Sequence, residues 1–178
     1  MYLWMLCGIC LLAACKKEKT PPQKNTAVKI AIAKIEGKSG SELTGEAVFT
    51  QQNTKVSLTL AVDNATPGTH AVHLHEWGDC SADDAASAGA HWNPTHEKHG
   101  KWGEKSFHLG DVGNIEVGEN GRGILTFSTD KWQITGNDAD KNIVGKSIVL
   151  HAEADNFTTQ PTGAAGIRQG CGVINIKK

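Results

Sequence analysis

His73 and His75 lie two residues apart in a stretch, 69–75, whose residue types favour an extended chain. Side chains alternate sides along a strand, so both imidazoles leave one face while Val72 and Leu74 leave the other. The apolar pair must face the core, which sets the two rings on an outer wall beneath whatever loop covers it. Ser147–His151 repeats the arrangement, with Ile148 and Leu150 inward and Val149 and His151 outward. Three imidazoles can therefore converge. Between these stretches the chain carries His91, His96, His99, His108 and Asp111, and nitrogen and carboxylate donors at this density suit zinc or copper. A single histidine is more often a satisfied polar group than a ligand, but a strand cluster facing a loop cluster favours metal. Spacing alone leaves open which metal binds and how many ions there are.

The elements that must position these groups read as strands. Val56, Leu58, Leu60 and Val62 alternate with Lys55, Ser57, Thr59 and Ala61, and Val28, Ile30 and Ile32 alternate with polar or small residues. That is the period of two expected of a strand with one face buried. Further strand-like stretches are 43–50, 69–75, 114–117, 123–128, 147–151 and 172–176, separated by turn signals such as Glu119-Asn120-Gly121. After the apolar amino terminus no stretch keeps a helical period, so the sequence predicts an all-β antiparallel sandwich or barrel. Two long stretches, 78–113 and 152–170, interrupt it, and loops of such length are usually functional.

The chain has 178 residues, a formal charge of −1, 39% hydrophobic and 21% charged residues. This fits one domain with a substantial core and argues against a nucleic-acid binder. Residues 3–14 form an apolar run shorter than the roughly 18–20 residues a membrane-spanning helix needs, and suited to a signal-peptide core. Its end, Leu12-Ala13-Ala14-Cys15, resembles the bacterial lipobox. That resemblance implies a signal peptide over 1–14, lipidation and membrane attachment at Cys15, a polar tether over 15–25 and a folded domain over 26–178. A buried N-terminal helix is the alternative. With Cys7 and Cys10 removed and Cys15 lipidated, Cys80 and Cys171 remain as an even pair in an oxidising compartment and are expected to form a disulfide; two buried free thiols, which a cytosolic location would favour, are the alternative.

Several motifs together carry a more specific signal: His73-Leu74-His75-Glu76-Trp77-Gly78-Asp79, Gly89-Ala90-His91-Trp92-Asn93-Pro94, Lys98-His99-Gly100, His108-Leu109-Gly110-Asp111, Leu150-His151-Ala152-Glu153-Ala154-Asp155 and Arg168-Gln169-Gly170-Cys171-Gly172-Val173-Ile174. In order and content they resemble the copper/zinc superoxide dismutases from about residue 30 to 176. The resemblance implies a Greek-key β-sandwich or flattened barrel of about eight antiparallel strands. It implies dismutation of the superoxide anion to dioxygen and hydrogen peroxide, with copper on His73, His75, His91 and His151 and zinc on His91, His99, His108 and Asp111. His91 would bridge the ions and carry a proton, Asp155 would link His73 to His99, Arg168 would dock the anion, and Cys80 matches the loop cysteine of the bacterial branch.

Some positions depart from the family pattern. Ala164 replaces a common asparagine, which puts the rigidity of the last loop in question, and Trp77 and Trp92 fill positions more often held by Phe. His96 is an additional histidine, read as a surface residue rather than a fifth zinc ligand. The stretch 152–170 has no lysine, so Lys98, Lys101 and Lys105 are the candidates for attracting an anion. Bacterial members occur as monomers and as homodimers, and Lys16 after the lipobox cysteine points to the outer membrane or periplasm of a bacterial envelope. Two other readings are a tethered copper and zinc buffer on the same fold and the dismutase-like domain of a copper chaperone. Storage requires neither Arg168 nor Asp155, and no copper position is missing.

Overall fold

A computed structural model describes residues 27–177; the signal peptide, Cys15 and the tether expected from the sequence lie outside them. Nine strands follow in order: β1 (Lys29–Gly37), β2 (Thr44–Gln52), β3 (Lys55–Asp63), β4 (Gly68–His75), β5 (Asp111–Val117), β6 (Gly123–Thr129), β7 (Ser147–His151), β8 (Arg168–Val173) and β9 (Asn175–Ile176). Neighbours run antiparallel in the order β2-β3-β6-β5-β4-β7-β8-β1-β9, and an additional β1–β2 pairing closes the first eight into a barrel. Closure leaves few unpaired edges. The barrel is flattened because two of its seams are thin. β5 meets β6 at Val117 and Gly123 alone, and β8 meets β1 only at Cys171–Glu36 and Gly170–Gly37. Two four-stranded sheets, β1-β2-β3-β6 and β5-β4-β7-β8, therefore face each other across the core.

β3 buries Val56, Leu58, Leu60 and Val62 and exposes the residues between them, as its alternation requires. β1 differs from the expectation. Its buried positions are Ala31, Ala33 and Ile35, whereas Val28 is 54% exposed and Ile30 and Ile32 are half-buried. The register explains the shifted phase: Ala31 stands opposite Phe49 and Ala33 opposite Ala47, so small residues make room inside the barrel for the buried Phe49 ring. The last loop also ends earlier than expected. Arg168-Gln169-Gly170-Cys171 has few strand formers, yet it pairs with β7 and forms β8. Gly170 fits there because a Cβ would come within 2.7 Å of Leu43 Cδ2.

The core contains Phe49, Leu58, Leu60, Val72, Leu74, Ile115, Ile148 and Leu150, with Trp132 fully buried at one end. Trp132 packs against Phe49, Phe127 and Trp102 and donates its indole N–H to the Leu109 carbonyl at 2.8 Å. A smaller apolar cluster of Ala85, Ala88, Val149 and Cys171 lies outside the barrel, beneath the first long loop. There Cys80 and Cys171 form the expected disulfide, which ties that loop to β8. Among the described residues no helix is long and apolar enough to cross a membrane.

The disulfide joins cysteines 91 residues apart, a separation for which loss of the cross-link is expected to cost about 2–5 kcal/mol. The paired Cys80→Ser and Cys171→Ser variant is therefore expected to unfold at a clearly lower denaturant concentration than the oxidised parent. Equal midpoints would show that the link contributes nothing to stability.

Candidate metal centre

Two irregularities in the strands bring the site together. Between Val72 and His73 the β4–β5 register shifts, so that Asp111 stands opposite His73. Between Leu150 and His151 the β7–β8 register shifts, so that Arg168 stands opposite His151. Bulges re-aim side chains in this way. The first long loop is then stitched back onto β4: Leu74 donates to Gly110 O and accepts from Trp92 N, both at 2.8 Å, and His91 forms an isolated bridge with His75. His73, His75, His91, His99, His108 and His151 are all buried there with Asp111 and Asp155.

Each imidazole has two nitrogens, and the protein's use of one determines what the other faces. His73 Nε2 lies 2.9 Å from Asp155 Oδ2, and its buried Nδ1 has no hydrogen-bond partner. His75 Nδ1 lies 3.0 Å from Gly89 O and His151 Nδ1 lies 3.4 Å from Gly166 O, while their Nε2 atoms approach each other at 3.4 Å. His91 Nε2 is buried without a partner. These four residues each place a ligand atom within 4.8 Å of the others.

A second set surrounds Asp111. Its carboxylate lies 3.0 Å from His91 Nδ1, 3.0 Å from His99 Nδ1 and 3.2 Å from His108 Nδ1. The residues whose ligand atoms lie within 4.8 Å of one another here are His73, His91, His99 and Asp111; His108 joins them through Nδ1, 3.2 Å from Asp111, and the free Nδ1 of His73 can serve one ion only. His99 Nε2 is taken by Asp155 Oδ1 at 2.9 Å. The buried Nδ1 atoms of His99 and His108 have no hydrogen-bond partner. Buried nitrogens left without protein partners are costly, and a cation bound to their lone pairs removes that cost. Four imidazoles in one set, and three with a carboxylate in the other, fit copper and zinc.

The electrostatics prepare these rings differently. Burial holds His75 well below its ordinary value and pushes His91 down to about 4 and His151 down to about 3, so all three are neutral near pH 7 with lone pairs available. Burial also opposes charge on His99, but the Asp111 and Asp155 carboxylates beside it outweigh burial and raise His99 to about 9. Burial alone would raise both carboxyls. The imidazoles of His108, His91 and His99 beside Asp111, and those of His73 and His99 beside Asp155, hold them well below the usual carboxylate range.

Partners beyond the ligand atoms fix this geometry, and several are invisible in the sequence. Asn114 on β5 holds the Asp155 backbone at both ends, accepting from its N–H at 2.8 Å and donating to its C=O at 3.0 Å. His70, on the inward phase of β4, has one ring nitrogen 2.9 Å from the His151 carbonyl and the other 2.7 Å from Thr66 O. The Trp132 bond to Leu109 O secures the turn between His108 and Asp111. A polar side chain at an inward strand position is the one sequence signal that could have flagged His70.

Arg168 donates to Ala85 O at 2.6 Å and to Gly89 O at 2.7 Å. The Gly89 carbonyl also faces His75 Nδ1, which sets the guanidinium beside the histidine cluster. His96 is exposed and belongs to neither ligand set, in keeping with the surface reading. With Lys98 it lines a cavity of about 440 Å³ that reaches His91 and His108. Ala164 adopts a left-handed conformation at φ 57°, but the loop around it is braced by Asn156 N–H to Gly163 O, Gly163 N–H to Thr159 O and the turn around Asn156 Oδ1.

Residues 43–174 match the copper/zinc superoxide dismutase (SODC) family. A Superoxide dismutase [Cu-Zn] of Onchocerca volvulus is 34% identical over 148 residues, covering 77% of this chain and 91% of that protein. An Extracellular superoxide dismutase [Cu-Zn] of Haemonchus contortus is 34% identical over 148 residues, covering 80% and 79%. One of the same name from Brugia pahangi is 31% identical over 160 residues, covering 85% and 78%. The match spans both ligand sets, the disulfide and most of the barrel, and the chain belongs to the copper/zinc superoxide dismutase family.

Proposed function

We propose that the chain dismutates superoxide, with copper held by His73, His75, His91 and His151 and zinc held by His91, His99, His108 and Asp111. The observation that carries this reading is the position of His91: its Nε2 is a buried orphan on the side of one set, and its Nδ1 faces the carboxylate of the other. Copper supplies one-electron redox chemistry when bound, and zinc, which has none, supplies fixed charge. Two superoxide ions and two protons yield dioxygen and hydrogen peroxide. Arg168 keeps N–H groups beyond the two spent on Ala85 and Gly89, and these with its permanent charge can hold a small anion beside His75. His91 Nε2 is placed to take a proton and pass it to the reduced oxygen species. Asp155, held by Asn114, orients His73 and His99 through their outer nitrogens.

The reading extends to location. The disulfide suits an oxidising compartment, the apolar leader suits export, and two relatives carry the name extracellular. We place the domain outside the cytoplasm, anchored in a bacterial envelope through a lipid on Cys15.

Superoxide decay measured by rapid kinetics on residues 26–178 loaded with copper and zinc tests the activity, with metal content determined on the same sample. Rapid copper-dependent decay that disappears in His151→Ala is expected; a fully metallated, disulfide-bonded protein without activity would leave metal buffering as the function. Arg168→Ala is expected to lower the second-order rate constant about tenfold or more with copper content unchanged, and an unaltered constant would remove Arg168 from anion docking. Replacing Lys98 and Lys105 together by Gln is expected to slow the reaction and flatten its dependence on ionic strength. Kinetics identical to the parent at every salt concentration would reject attraction by these lysines.

A further inference from the structure

His99 sits in a part of the first long loop, 93–110, that contains no strand or helix. Its backbone groups have no ladder partner, and a buried peptide group must find one elsewhere. Both are met by one side chain from the last loop. The His99 N–H donates to Gln160 Oε1 at 3.0 Å, and Gln160 Nε2 donates to His99 O at 2.8 Å. We infer that Gln160 is a positioning residue for the zinc site, a two-point clasp that stands in for the neighbouring strand that His99 lacks. The inference rests on the assignment of His99 to zinc made above.

A single hydrogen bond leaves the peptide free to pivot about it, whereas a pair on the N–H and C=O of one residue fixes its orientation. With the backbone held by Gln160 and Nε2 held by Asp155, the direction of Nδ1 is determined from both ends of the residue. Two independent contacts join the same loops. Gly163, at φ 68°, lies so close over the Asp155–His99 hydrogen bond that a Cβ would overlap Asp155 Oδ1 and come within 2.7 Å of His99 Nε2. Lys101 Nζ lies 5.7 Å from the centre of the Phe157 ring. The copper set depends less on this junction, because His73, His75 and His151 stand on strands and His91 is bridged to β4.

Gln160 itself is exposed, so its replacement is expected to leave global folding nearly unchanged while loosening one ligand. Outer partners of metal ligands typically change affinity by about 10–100-fold. The test compares the full domain with its Gln160→Leu and Gln160→Glu variants. It measures zinc release to a chelator, the visible spectrum of cobalt(II) placed in the zinc position, and unfolding of the metal-free protein. Gln160→Leu is expected to release zinc about tenfold faster and to alter the cobalt bands, with an unchanged metal-free unfolding midpoint. Gln160→Glu keeps the acceptor for the His99 N–H and is expected to fall between the two.

Zinc release and cobalt spectra equal to the parent's in Gln160→Leu would overturn the inference. So would faster release matched by Val56→Ala, a buried substitution remote from the loops, because that would show a general loss of stability. A parent protein that takes up neither zinc nor cobalt at His99 would overturn the metal assignment itself, a result distinct from both.

Discussion

An imidazole has two nitrogens, and in this molecule the protein occupies the outer one on four of the six clustered rings. Asp155 takes the outer nitrogens of His73 and His99, and the carbonyls of Gly89 and Gly166 face those of His75 and His151. The remaining nitrogens are directed inward by subtraction. A free imidazole rotates about two bonds; one anchored at its far atom presents its lone pair in a single direction. His91 lies between the sets, with one nitrogen near Asp111 and the other unpartnered. The centre thus depends less on the rings than on the oxygens behind them.

Those oxygens come from segments distant in sequence, and the architecture serves to bring them within reach. The two register shifts place Asp111 and Arg168 beside the histidines of β4 and β7. The first loop returns to Leu74 twice, and the disulfide holds its outer part against β8. The Gly89 carbonyl serves both His75 and Arg168, so a ring of the histidine cluster and the guanidinium share one peptide group. Displacing that peptide would disturb both.

The sequence made some of this legible and concealed the rest for identifiable reasons. β3 is plain because its four large apolar residues alternate with polar ones along the whole strand. β1 misleads because its buried positions include two alanines, whose contribution is the space they leave for Phe49. β8 has the composition of a loop and becomes a strand by pairing. The clustering of the histidines with Asp111 was readable because their chemistry is uncommon and their spacing distinctive. Asn114, His70 and Gln160 were not, since carboxamides and a lone histidine are ordinary residues whose roles arise only when a distant backbone arrives opposite them.

The thin seams divide the molecule unequally. Every residue of the two candidate metal sets belongs to β4, β5, β7 or the loop that joins β4 to β5, while Asp155 follows on the connection from β7 to β8 and Arg168 opens β8. The sheet β1-β2-β3-β6 supplies no donor atom; it furnishes the other wall of the core. Its outward face, where Ser57, Thr59, Ala61, Ile124 and Thr126 stand, is therefore a surface on which evolution can write without editing the chemistry. Substitutions on that face leave every residue of the two candidate metal sets, and the strands that carry them, untouched.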